Sequence, residues 1–197
     1  MRNDKNQSLL TFEASVGYIH NPRAAARIYK YNPNMKLILI LRDPVDRAFS
    51  QWNMGRNLTK VVLDSELAEY REFREVITYE LDLIKSGLKA VKPPLSYIPR
   101  GLYLEQIENY LKLFPRHQIF ITENKKLKLH RVEVLNEIID FLELPAFQWN
   151  EGKLVERYKA DYKDRTMDDD IRKILAEFYH PYNKDLFQFL GETYEWQ

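Results

Sequence analysis

The run Lys36-Leu37-Ile38-Leu39-Ile40-Leu41, broken off by Arg42-Asp43-Pro44, constrains the fold more than any other stretch of the chain. It is too short for a lone helix and carries no polar alternation. It therefore predicts a strand covered on both faces, as in a parallel sheet. Asp43 can cap a helix whose first residue is Pro44, and Val45, Ala48, Phe49 and Trp52 then fall at i, i+3, i+4 and i+7. That apolar stripe is expected to pack on the sheet.

Two further strands are expected, at Leu9–Glu13 and Gln118–Thr122. Between the first two strands, Asn21-Pro22 starts a helix carried by Ala24, Ala25, Ala26, Ile28 and Tyr29, and Asn32-Pro33 stops it. Strand, helix and strand within about thirty residues make a βαβ unit with parallel pairing and a right-handed crossover. Asp64–Ser86 reads as a long charged helix on the surface, with Gly87 as its stop. Tyr103, Ile107, Tyr110, Leu111 and Phe114 form an amphipathic helix closed by Pro115. Val132–Leu144 gives another helix, and Asp168–Tyr179 the last, its opening acids favouring the dipole. The expected fold class is α/β, one domain over residues 1–197 with a small, mainly parallel sheet of about three strands flanked by helices.

Composition narrows the function more by exclusion. With 30 Lys+Arg against 29 Asp+Glu, the net charge is +1, so no global attraction to nucleic acid or an anionic membrane exists and any anion site must be local. The absence of cysteine excludes a disulfide framework, a Cys zinc site and a thiol nucleophile. No two histidines share a metal-ligand spacing with an acid, so no metal is expected. The polar start, Met1 to Ser8, reads as neither a signal peptide nor a membrane span, and the expectation is a cytoplasmic protein.

The chemistry concentrates after the central strand. Arg42 stands at its carboxyl end, where ligands sit in open α/β sheets, and Ser50 lies two turns into the next helix, on the side opposite Val45, Phe49 and Trp52. A guanidinium fork with a hydroxyl suits a phosphate. The plain alternative is that Arg42 pairs with Asp43 or Asp46 and that Ser50 is merely solvated.

The run Leu41-Arg-Asp-Pro-Val-Asp-Arg-Ala-Phe-Ser-Gln-Trp52 resembles the 3′-phosphate-binding motif of sulfotransferases that use 3′-phosphoadenosine 5′-phosphosulfate (PAPS), in particular the branch with heparan-sulfate and bacterial carbohydrate-type enzymes. Three other segments resemble that family in the same order: Phe12 to Tyr18, Arg100-Gly101-Leu102-Tyr103, and Phe178 to Asn183. The resemblance implies a P-loop-like fold, PAPS as sulfuryl donor without metal, and a hydroxyl or amine on a carbohydrate or small molecule as acceptor. It further implies that Arg42 and Ser50 hold the 3′-phosphate, that Tyr103 lies beside the nucleotide, and that Lys163 and Arg165 belong to a loop covering it. Glu13 is the candidate for acceptor contact or proton transfer, with a structural ion pair as its alternative. One departure stands out: the family's first strand, followed by a Gly- and Lys-bearing loop for the phosphosulfate, has no counterpart in these residues. The implied function is sulfuryl transfer; the alternative is a nucleotide-binding fragment of the same fold without turnover.

Overall fold

The computed structural model describes residues 10–58, 69–87, 96–154, 162 and 166–196. Helix α1 (Ala24–Tyr31) leads into strand β1 (Leu37–Leu41), which passes through Arg42-Asp43 into helix α2 (Pro44–Leu58). Helix α3 (Phe73–Lys85), a short turn at Pro99–Gly101 and helix α4 (Tyr103–Leu111) precede strand β2 (Ile119–Glu123). Helices α5 (Asn124–Leu129), α6 (Arg131–Phe141) and α7 (Asp169–Leu190) complete the order. Strands β1 and β2 pair in parallel, from Leu37 opposite Ile119 to Leu41 opposite Glu123. The α/β class and the small parallel sheet are as the sequence implies.

The expected strand at Leu9–Glu13 does not form: residues 10–13 have no regular structure, and Phe12 is 93% exposed. Extended backbone needs a paired neighbour for its N–H and C=O groups, and this segment has none among the described residues. The crossover of the parallel pair is therefore the stretch from α2 to α4 between β1 and β2, and α1 is not part of it. β1 itself is covered unequally. Leu37, Leu39 and Leu41 pack with Ile119 and Ile121 against Ala25 of α1, Tyr103, Ile107 and Tyr110 of α4, and Leu186 of α7. On the opposite face Ile38 and Ile40 are exposed, which corrects the expectation of burial on both sides.

The stripe on α2 packs elsewhere than on the sheet. Val45, Ala48 and Trp52 bury against Phe73, Val76 and Ile77 of α3 and against Ile171, Leu175 and Tyr179 of α7. Helix α3 is thus a core element; it starts at Phe73, where Glu72 and Glu75 form a reciprocal capping box. Residues 59–68 lie outside the described structure. Helix α7 runs past Tyr179 and through Pro181 to Gly191, whose φ of +70° ends it in the left-handed conformation. Proline removes one helical N–H bond, but Ile171, Leu175, Tyr179, Asn183 and Leu186 are buried along a single face on both sides of it. That packing outweighs the lost bond.

Candidate functional site

The carboxyl end of β1 opens into a cleft of about 420 Å³ lined by Arg42, Asp46, Phe49 and Ser50 from β1 and α2, by Tyr162, and by Thr166, Met167, Asp169 and Arg172 at the start of α7. Arg42 and Ser50, paired by the sequence reading, thus face one space. Local chemistry places them: the Asp43 carboxylate accepts from the backbone N–H of Val45 at 2.7 Å and of Asp46 at 3.3 Å, which starts α2 directly behind Arg42. Asp46 and Ser50, one helical turn apart, then point the same way. The Ser50 and Tyr162 hydroxyls share a hydrogen bond of 3.1 Å. Arg42 is exposed and points into the opening.

Tyr103 is nearly buried, with its ring beside Trp196 at 5.8 Å and its hydroxyl donating to the Arg42 carbonyl at 2.8 Å. It therefore holds the backbone from which the Arg42 side chain extends, and burial pushes its phenol pKa up. Glu13 is exposed and is not among the residues lining the cleft. Its carboxylate accepts from the Tyr18 hydroxyl, which raises the Tyr18 pKa. Lys163 and Arg165 lie outside the described residues.

A second cationic place is formed by Arg47 of α2 and Arg100. Arg47 donates from Nη1 to Gln51 Oε1 at 2.7 Å and from Nη2 to the Tyr97 carbonyl, while its buried Nε has no partner. The buried Nε of Arg100 also has none. Burial, together with the charge of Arg47, lowers the Arg100 pKa. His20 lies within their field: burial first, then the Arg100 and Arg47 charges, hold it below the ordinary imidazole value. At neutral pH its ring is uncharged. Among the described residues no group of three or more His, Asp or Glu side chains could hold a metal ion, and no helix is long and apolar enough to cross a membrane.

A family model described as the sulfotransferase domain matches residues 2–179. The chain belongs to the sulfotransferase family. Among the relatives of this chain, heparan sulfate glucosamine 3-O-sulfotransferase 5 of Mus musculus is 26% identical, over 95% of this chain and 56% of its own length. The bifunctional heparan sulfate N-deacetylase/N-sulfotransferase 3 of Homo sapiens is 28% identical, over 91% of this chain and 22% of its own length. A sulfotransferase crystal structure from Alicyclobacillus acidocaldarius superimposes with a TM-score of 0.67 at 27% identity, over 91% of this chain and 64% of that one. The chain spans about half the length of the first curated relatives it matches, 54% of one and 56% of the next.

The sequence reading did not single out Asp46, Arg47, Arg100 and Arg172 as candidate site residues. A signal for Asp46 was present, since it stands one helical turn before Ser50 on the same helix face. Arg172 had none: it lies 130 positions from Arg42, on a helix whose stated sequence signal was the run of acids at its start.

Proposed function

We propose that the protein transfers a sulfuryl group from PAPS to a hydroxyl or amine, with an acidic carbohydrate as the acceptor class. The observation that carries this reading is the meeting of Arg42 and Ser50 in one cleft at the carboxyl end of a parallel strand, in a chain of the sulfotransferase family. The cleft fits a phosphate ester: a guanidinium and a hydroxyl face it, and its volume of about 420 Å³ is in the range of small-ligand sites. When bound, PAPS supplies the sulfuryl group and the phosphate that leaves. Arg42 and Ser50 hold the 3′-phosphate, which orients the donor; Tyr103 fixes the Arg42 backbone that this requires. Lys163 and Arg165, which follow Tyr162 in the chain, are proposed to cover the bound nucleotide.

Arg47 and Arg100, with guanidinium nitrogens left without partners, supply positive charge for an anionic acceptor. The relatives named as heparan sulfate enzymes favour a sugar of that kind. Glu13, outside the cleft and engaged by the Tyr18 hydroxyl, is proposed for acceptor contact or proton transfer on its motif position alone, and the His20 ring lies in the field of the two arginines.

Adenosine 3′,5′-bisphosphate should raise the melting temperature of the wild type, and Arg42→Ala should remove most of that gain. A charge-assisted contact of this kind is worth about 1.5–3 kcal/mol. An equal shift in the variant would defeat the assignment. Transfer of radiolabelled sulfate from PAPS to a panel of sugar, phenol and amine acceptors tests the reaction itself. One observation favours a second reading, in which these residues bind the nucleotide without turning it over: the 197 residues contain no Gly- and Lys-bearing loop for the phosphosulfate. Loss of one preorganised donor slows an enzyme roughly 10²–10³-fold. Under this reading, adenosine 3′,5′-bisphosphate binds while the acceptor panel shows no sulfate transfer.

A further inference from the structure

Arg172 enters the cleft from the first turn of α7, opposite Arg42 and Ser50 on the β1–α2 side. Its position is set by its neighbours: Ile171 and Leu175 are buried in the core shared with α2 and α3, so the helix cannot turn Arg172 away without exposing them. Among the described residues its side chain makes one hydrogen bond, Nη1 donating to Asp46 Oδ1 at 3.1 Å. Both partners are partly exposed, 32% for Arg172 and 43% for Asp46. An ion pair this open adds little to folding stability. A guanidinium carries five N–H donors, and among the described residues only Asp46 takes one of them.

Among the described residues that line the cleft, the charges are Arg42 and Arg172 against Asp46 and Asp169. A phosphate monoester is close to a dianion at neutral pH, and a single arginine matches half of that charge. Arg172 faces the same space with unused donors and is held by a carboxylate oxygen, the group whose geometry a phosphate oxygen most resembles.

We propose that Arg172 is the second phosphate-binding cation of this cleft and that Asp46 occupies its guanidinium until the phosphate of the nucleotide takes its place. The inference rests on the reading of the cleft as a nucleotide site and adds to it a residue from the far end of the chain. Asp46 then acts against binding, as a competitor for Arg172 and as a negative charge near the phosphate. If the pair were only a tie between α2 and α7, loss of either side would weaken binding alike. The two roles predict opposite signs for Asp46.

The experiment is calorimetric titration of the full chain with adenosine 3′,5′-bisphosphate and, in parallel, with adenosine 5′-monophosphate, which lacks the 3′-phosphate. Arg172→Gln should weaken bisphosphate binding about tenfold, as loss of one charge-assisted contact predicts, and leave the monophosphate unchanged. Asp46→Asn, which keeps the shape and removes the charge, should tighten bisphosphate binding several-fold. Arg172→Lys should fall between wild type and Arg172→Gln, because it keeps the charge and loses the fork. The proposal is overturned if Arg172→Gln leaves the preference for the bisphosphate unaltered while Arg42→Ala removes it. It is equally overturned if Asp46→Asn weakens binding as Arg172→Gln does. A wild type that binds both nucleotides equally would instead defeat the reading of the cleft, and this inference with it.

Discussion

Two charged regions of the molecule, the buried acids under the Tyr97-Ile98 turn and the cations at the end of β1, treat their hydrogen-bonding capacity in opposite ways. Glu80, 5% exposed, accepts from the Tyr97 backbone N–H at 2.8 and 3.0 Å and from the Ile98 N–H at 2.7 Å. Glu69 accepts from the Arg71 guanidinium at 3.0 and 2.9 Å and from the Tyr97 hydroxyl at 3.0 Å. In the cleft, by contrast, Arg172 spends one donor among the described residues, and the buried Nε atoms of Arg47 and Arg100 have no partner among them. The two acids that hold the Tyr97-Ile98 turn are saturated, because an unpaired buried group costs stability. The cations assigned to ligands under the proposed function keep donors in reserve.

The contrast breaks most visibly at Glu80. Glu80→Ala should cost on the order of 3 kcal/mol, because two buried backbone N–H groups lose their acceptor, and chemical denaturation of the variant measures it. Titrating the stability of glutamine variants sharpens the point. Burial, the dominant influence, raises the Glu80 pKa in spite of its N–H donors, so the folded state binds the proton more tightly than the unfolded chain. The resulting stabilisation is fully present below the ordinary glutamate value and is lost as pH rises through the folded value. The advantage of wild type over Glu80→Gln should therefore narrow with rising pH. Glu69 has the opposite sign. Burial alone would raise it, but the Arg71 hydrogen bonds and charge, with the Tyr97 hydroxyl, bring it below the ordinary value. The advantage over Glu69→Gln should be complete above the unfolded value and shrink as pH falls through the folded one. Parallel slopes for the two variants would refute this difference.

A somewhat smaller effect is expected where the two regions touch. A Cβ on Gly101 would lie 2.7 Å from Pro44 Cβ, 2.7 Å from the Tyr179 hydroxyl and 2.8 Å from Tyr179 Cε1. The Tyr179 hydroxyl donates to the Ile98 carbonyl at 2.8 Å, and Pro44 opens the helix behind Arg42. Gly101→Ala should destabilise by about 1–3 kcal/mol through overpacking. Because Pro44 must shift, it should also weaken binding of adenosine 3′,5′-bisphosphate several-fold. A variant that melts lower yet binds as wild type would show that the core and the cleft are uncoupled at this point.

The smallest effect belongs to Ser50→Ala. One neutral hydroxyl contact to the nucleotide is worth about 0.5–1.5 kcal/mol, so titration should show a loss of up to about tenfold. Thermal unfolding without ligand should be nearly unchanged, since the hydrogen bond given up in the folded protein is the partly exposed one to Tyr162. A large drop in unliganded stability would assign Ser50 to the saturated class instead.

What the sequence by itself determined about this protein is what near neighbours decide. The β1 run, the Asp43-Pro44 helix start, the Asn32-Pro33 stop and the second strand are local in cause, arising from aliphatic runs, capping oxygens and the missing proline N–H. Arg42 and Ser50 were legible for the same reason, since a strand end and two helical turns set their spacing. The tertiary structure decided which apolar face meets which partner. It sent the α2 stripe to α3 and α7, left residues 10–13 without a partner, carried α7 through Pro181, and brought Arg172 across the cleft to Asp46. These outcomes depend on burial and charge balanced between segments far apart in the chain, and no local pattern records the far partner.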